Sequence, residues 1–104
     1  MQIDISGHHV EVTDGIRESI ESRFKKIGTH YPDLSKINVV LTVERNSQMV
    51  DVQTQYLGAA VAVGSANHDM YVAIADAAKK LDAALKHRKG GIKSGLHDKP
   101  ELAD

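Results

Sequence analysis

Six histidines are the first residues of this chain that could do chemistry, since imidazole both ligates metals and carries protons near neutral pH. Their spacing argues against either use. His8 and His9 are adjacent in a turn-forming stretch, His30 follows the end of a helical pattern, and His68, His87 and His97 are scattered. No two of them stand at the i, i+4 helical spacing, with a carboxylate ligand nearby, that a metal site on a helix requires. The absence of cysteine removes thiolate metal sites, disulfides and a cysteine nucleophile together. Acidic pairs such as Glu18 with Glu21, and Asp76 with Asp82, fall on polar helix faces, where a solvated charge needs no catalytic explanation. Gly90-Gly91 follows a helical pattern instead of a strand, so it does not form a phosphate-cradling loop. Neither a catalytic centre nor a cofactor is expected.

What remains is a concentration of positive charge. The formal net charge is −1, yet Met1 to His68 holds six Lys/Arg against eight Asp/Glu, whereas Lys79 to Lys99 holds seven against two. Lys79, Lys80, Lys86, Arg88 and Lys89 are read as lying away from the apolar positions Ile74, Leu81 and Leu85. At about 100° per residue, Lys79 and Lys86 are nearly in line two turns apart, with Lys80 beside them. Lys93 extends the ridge, and an earlier helix offers Arg23, Lys25 and Lys26. A face that serves only to solubilise usually mixes both signs. Here Asp82 alone interrupts the stretch from Lys79 to Lys89. Repeated cations along one line suit a phosphate backbone, whose contacts add up without reading bases. The residues by themselves point to RNA, with plain solvation of the helix as the bland alternative.

The elements that must position these cations follow from periodicity. Gln2-Ile3-Asp4-Ile5-Ser6 alternates as a strand before Gly7-His8-His9 turns the chain. Thr13 is placed to cap a helix whose apolar stripe is Ile16, Ile20, Phe24 and Ile27, closed by Gly28 and Pro32. Lys36 to Glu44 reads as a central strand. After a turn at Arg45 to Gln48, Val50, Val52, Thr54 and Tyr56 alternate with Asp51, Gln53 and Gln55, and beyond Gly58 Val61 and Val63 mark a fourth strand. A second helix is predicted from His68 to Lys89, with Asn67 as its cap, Met70, Ile74, Ala77, Ala78, Leu81 and Leu85 inward, and Gly90-Gly91 as its stop. The fold class is α+β, in the order β-α-β-β-β-α. Two helices cover one face of a four-stranded sheet, an arrangement similar to double-stranded RNA-binding domains.

At 104 residues and 41% hydrophobic the chain suits one domain, taken as residues 1–93, followed by a short disordered tail, 94–104. No apolar run approaches the ~20 residues that span a bilayer. A cytoplasmic protein without membrane or DNA partners is expected.

The run Met1-Gln2-Ile3-Asp4-Ile5-Ser6-Gly7, with Val10-Glu11-Val12-Thr13 and Ile16-Arg17, resembles the opening of the ribosome hibernation-promoting factors. Asp69-Met70-Tyr71 with Ala73-Ile74, followed by Lys80-Leu81 and Leu85, resembles their second helix, and the likeness covers roughly residues 1 to 93. It implies a stationary-phase or stress protein that lodges in the messenger and transfer RNA channel of the small ribosomal subunit and of the 70S ribosome. There it would contact 16S ribosomal RNA through basic helix faces and stop translation reversibly. The tail resembles the short form, which acts with ribosome modulation factor to pair ribosomes into inactive dimers, and not the longer, acidic tail of the ribosome-associated inhibitor. One departure stands out: many relatives carry Arg or Lys just after Lys80-Leu81, where this chain has Asp82-Ala83-Ala84. Two other readings remain open. One is a general double-stranded RNA-binding module, which would bind free duplex equally well. The other is a small enzyme on the open sheet face using His8, His9 or Tyr56.

Overall fold

The computed structural model describes residues 1–94, with six elements in chain order: β1 (Gln2–His8), α1 (Asp14–His30), β2 (Lys36–Glu44), β3 (Ser47–Tyr56), β4 (Ala59–Asn67) and α2 (Met70–Ser94). The tail expected at 94–104 falls, from residue 95 onward, outside the described residues. The strands form one sheet in the order β1-β2-β3-β4. β1 runs parallel to β2, with Ile3 opposite Ile37 and Ile5 opposite Val39, and α1 supplies the crossover that a parallel pair requires. β2, β3 and β4 are antiparallel neighbours joined by two-residue turns. At the second turn Leu57 and Gly58 have φ of 51° and 80°, the doubly left-handed geometry that matches the twist of a tight hairpin.

Alternation decides which face is buried. Ile37, Val39 and Leu41 of β2 lie fully inside, as do Val50 and Val52 of β3, while Asp51, Gln53 and Gln55 are exposed on the other face. Ile16, Ile20, Phe24 and Ile27 of α1 and Met70, Ile74, Ala77, Ala78, Leu81 and Leu85 of α2 join the same core, so both helices cover one side of the sheet. The predicted stripes are the observed ones, with Ala73 added to the second. Thr54, the one buried polar side chain among the described residues, donates its hydroxyl to the Lys36 carbonyl. The open face carries an exposed ion pair, Lys36 Nζ to Asp4 Oδ2 at 3.0 Å. The Gln2 amide and then Lys36 hold the Asp4 carboxyl below its usual pKa.

Element ends correct the sequence reading in four places. β1 continues past Ser6 to His8. The turn then forms at His9 (φ 63°), and Gly7 is required beneath it because a Cβ there would lie 2.5 Å from the Val10 carbonyl oxygen. Thr13 caps α1 as expected, its hydroxyl accepting from the Ile16 N–H at 3.2 Å. The helix passes through Gly28 to His30, and it stops because Pro32 excludes helical geometry at Tyr31 (φ −129°, ψ 75°). α2 begins two residues later than expected. Asp69, not Asn67, caps it, its carboxylate accepting from the Tyr71 N–H at 2.8 Å, while the Asn67 side chain accepts from the Asp69 N–H. At its other end α2 passes through Gly90-Gly91 to Ser94. A glycine ends a helix when it takes a left-handed φ, and among the described residues only Gly58 does so. Inside a helix it merely weakens the element by about 1 kcal/mol.

Two stability outcomes follow. Leu81→Ala removes a fully buried side chain at the centre of α2 and should lower unfolding free energy by about 2–5 kcal/mol in chemical denaturation. Gly91→Ala meets open space and should stabilise the chain by about 0.5–1 kcal/mol or less. A loss of stability at Gly91 would mean that this glycine ends the helix after all.

Candidate nucleic-acid interface

The cations sit where helix geometry sends them. Taking Lys79 as reference at about 100° per residue, Lys86 lies within about 20° of the same line, and Asp82 and Lys89 lie about 60–80° to one side. Lys80 lies about 100° to the other side, and Arg88 about 180° away. In the structure Lys79, Lys80, Lys86 and Lys89 are exposed, as are Arg23, Lys25 and Lys26 of α1. Lys93 belongs to α2 by its backbone.

Three of these positions differ from a simple ridge. Arg88 is half-buried, on the inward side of the helix, where its Nη2 donates to the Leu57 carbonyl at 2.6 Å. Reading it as pointing away from Ile74, Leu81 and Leu85 was incorrect, because position 88 lies seven residues after Leu81 and so falls on that same stripe. There it braces the β3–β4 turn. Lys80 leans toward the sheet and donates its Nζ to the Gly64 carbonyl on β4 at 2.9 Å. Asp82 stands on the same side of α2 as Lys86 and Lys89, and the three line a concavity of about 360 Å³ with His30 and Tyr31 from the end of α1.

Tyr31 closes that concavity from below. Its ring meets Tyr56 edge-on, with centroids 5.6 Å apart and planes at 84°, and its hydroxyl donates to the Asp82 carbonyl at 3.4 Å. Burial first, and then the nearby Asp82, push the Tyr31 phenol above its ordinary pKa, so it stays a neutral donor through the physiological range. His30 and Tyr31 were not anticipated as neighbours of Lys86 and Lys89. The available signal was their place in the last turn of a helix packed against the lysine-bearing one.

The enzyme reading loses its geometry. Tyr56 shares the parity of Val50 and Val52 and is buried under the helices, so it is not on the open face, while His8 and His9 are exposed at the far end of β1. Among the described residues no group of three or more His, Cys, Asp or Glu side chains is placed to hold a metal ion. No described helix is long and apolar enough to cross a membrane. Another cleft, of about 1150 Å³, lies between the β2–β3 turn and the β4–α2 connection, lined by Glu44, Arg45, Asn46, Met49 and His68. It is wide, of mixed charge, and carries none of the helix lysines, so the basic helix faces are the stronger candidate.

Comparison with known proteins gives the family and the fold. Residues 3–93 match the family described as Sigma 54 modulation protein / S30EA ribosomal protein. The chain is 34% identical over 101 residues to the ribosome hibernation promoting factor of Azotobacter vinelandii, covering 96% of this chain and 94% of that one. The N-terminal domain of Thermus thermophilus Protein Y superimposes with a TM-score of 0.77 at 28% identity, covering 85% of this chain and 99% of that one. A ribosomal subunit interface protein from Coxiella burnetii superimposes with a TM-score of 0.82 at 22% identity, over 86% and 99% of the two chains, a likeness of fold.

The division of labour among the cations is testable by stability alone. Arg88→Ala should lower unfolding free energy by about 1 kcal/mol through the lost bond to the β3–β4 turn. Lys86→Ala should change it by less than about 0.5 kcal/mol. Equal effects in thermal melts would show that Arg88 is a surface cation like the others.

Proposed function

Since the chain belongs to the ribosome hibernation-promoting factor family, we propose that it binds the small ribosomal subunit and silences it by occupying the channel used by messenger and transfer RNA. The observation that carries this reading is the exposure of Lys79, Lys86 and Lys89 along one side of α2, with Arg23, Lys25 and Lys26 exposed on the neighbouring α1. Each lysine that neutralises a phosphate of 16S ribosomal RNA releases condensed counterions, and a rigid helix spaces those contacts without any base being read. The effect is steric. The protein makes and breaks no bond, and inhibition ends when it dissociates. Pairing of ribosomes into inactive dimers together with ribosome modulation factor, in stationary phase or stress, extends the same reading.

A general duplex-binding module is the competing view. It requires comparable affinity for free RNA duplex, whereas a channel-shaped site favours the folded subunit over any isolated helix.

The triple variant Lys79→Glu, Lys86→Glu, Lys89→Glu should stay folded by circular dichroism, since all three side chains are exposed, and should lose subunit binding and translation inhibition. Parental affinity should fall steeply with salt, and a short RNA duplex should compete poorly in sucrose-gradient co-sedimentation. Full inhibition by the triple variant, or equal competition by duplex, would overturn the proposal.

A further inference from the structure

The concavity at the crossing of α1 and α2 holds an unusual set of charges. Lys86 and Lys89 are exposed above it, Asp82 stands beside them, and His30 faces them from the last turn of α1. Two ammonium groups and one carboxylate leave a balance of +1, so the charge of His30 decides whether the groove carries +1 or +2. A histidine is the side chain whose charge changes in the physiological range.

The hydrogen bonding of His30 determines what that change does. Its Nδ1 lies 3.1 Å from the Lys26 carbonyl oxygen. A carbonyl only accepts, so Nδ1 carries the hydrogen and Nε2 is the nitrogen that takes up or loses the second proton. In the neutral ring Nε2 presents a lone pair, which repels a phosphate oxygen. In the protonated ring it presents an N–H donor with a full positive charge, the partner a phosphate oxygen favours most. Beneath the groove the Tyr31 hydroxyl is engaged with the Asp82 carbonyl, and Lys26 lies one turn earlier on α1. The titratable and charged groups around His30 are therefore Lys26, Tyr31, Asp82, Lys86 and Lys89.

We infer that this groove is a pH-gated phosphate site, in which one phosphodiester of ribosomal RNA is held by Lys86, Lys89 and the protonated His30, and Asp82 keeps it weak until His30 is charged. The inference rests on the subunit-binding reading and adds its regulation: the protein grips RNA more tightly as pH falls. Asp82 is what makes the gate effective, because a cation in its place would leave the groove strongly positive at every pH.

The test is binding of the full chain to purified small ribosomal subunits at constant ionic strength, at about pH 8 and about pH 6. The parent is compared with His30→Gln, His30→Arg and Asp82→Asn, and with His8→Gln, a histidine on the opposite end of β1, as control. Parent and control should bind on the order of tenfold more tightly at the lower pH, the worth of one charge-assisted hydrogen bond. His30→Gln should stay at the weaker affinity at both values, and His30→Arg should stay at the tighter one. Asp82→Asn should bind more tightly than the parent at the higher pH. Melting temperatures check that each variant is folded. If His30→Gln keeps the parental pH response while binding subunits normally, the gate is refuted and the subunit-binding reading stands. If the parent binds at neither pH, both fall.

Discussion

Among the described residues the buried apolar side chains form one core on one side of one sheet, and most of the architecture answers to that constraint. Four strands expose a second face that is left to water, so the entire hydrophobic contribution must come from two helices laid on the first. They must lie side by side and meet each other as well as the strands. Tyr31 secures the meeting. Its backbone N–H bonds the Ile27 carbonyl at the end of α1, its ring packs on Tyr56 of β3, and its hydroxyl reaches the Asp82 carbonyl of α2. An edge-on aromatic pair of this kind adds about 0.5–1.5 kcal/mol beyond burial. With the helices held in this way, His30 and Tyr31 at the end of α1 come to line one concavity with Lys86 and Lys89 of α2.

That arrangement reconciles a net charge of −1 with the anionic partner proposed above. Charge averaged over the whole chain says little about a surface on which one helix carries six of the thirteen Lys and Arg residues. The acidic excess lies in residues 1–68, so the molecule is electrically polar as well as locally basic. Such a distribution orients a protein as it approaches a polyanion, and it discourages adhesion through the wrong face.

Periodicity made the element order, the two inward stripes and the parity of every strand legible, because a half-buried element writes its burial directly into its spacing. Capping was legible where chemistry and position agreed, as at Thr13. It misled where two candidates competed: Asn67 and Asp69 both cap well, and the extra length of β4 decided between them. Gly90-Gly91 looked like a stop because glycine tolerates left-handed geometry, but tolerance is not a requirement, and helix-favouring neighbours carried the chain through. Arg88 was misplaced by reading charge as a sign of exposure. Its angular position was available from the spacing, and a long side chain at the end of an inward stripe can lie along apolar surface while its head finds a carbonyl. The groove between His30 and Lys86 was illegible for a different reason. It joins residues more than fifty positions apart, and only the packing angle of two helices brings them together.

The bond from Lys80 to the Gly64 carbonyl reaches past RNA recognition. β4 ends the sheet, and from Ala59 to Asn67 it contains neither a charged residue nor proline. Such a border, rich in alanine and valine, offers unpaired backbone groups to any extended chain that approaches, including another copy of this one. Proteins commonly guard such borders with lysine, whose ammonium cannot be buried between two strands without a partner. Lys80 stands in that position and occupies one of the carbonyls itself. The side chain therefore does something in the free protein that is independent of any ligand: it ties α2 to the outermost strand and covers one of that strand's carbonyls.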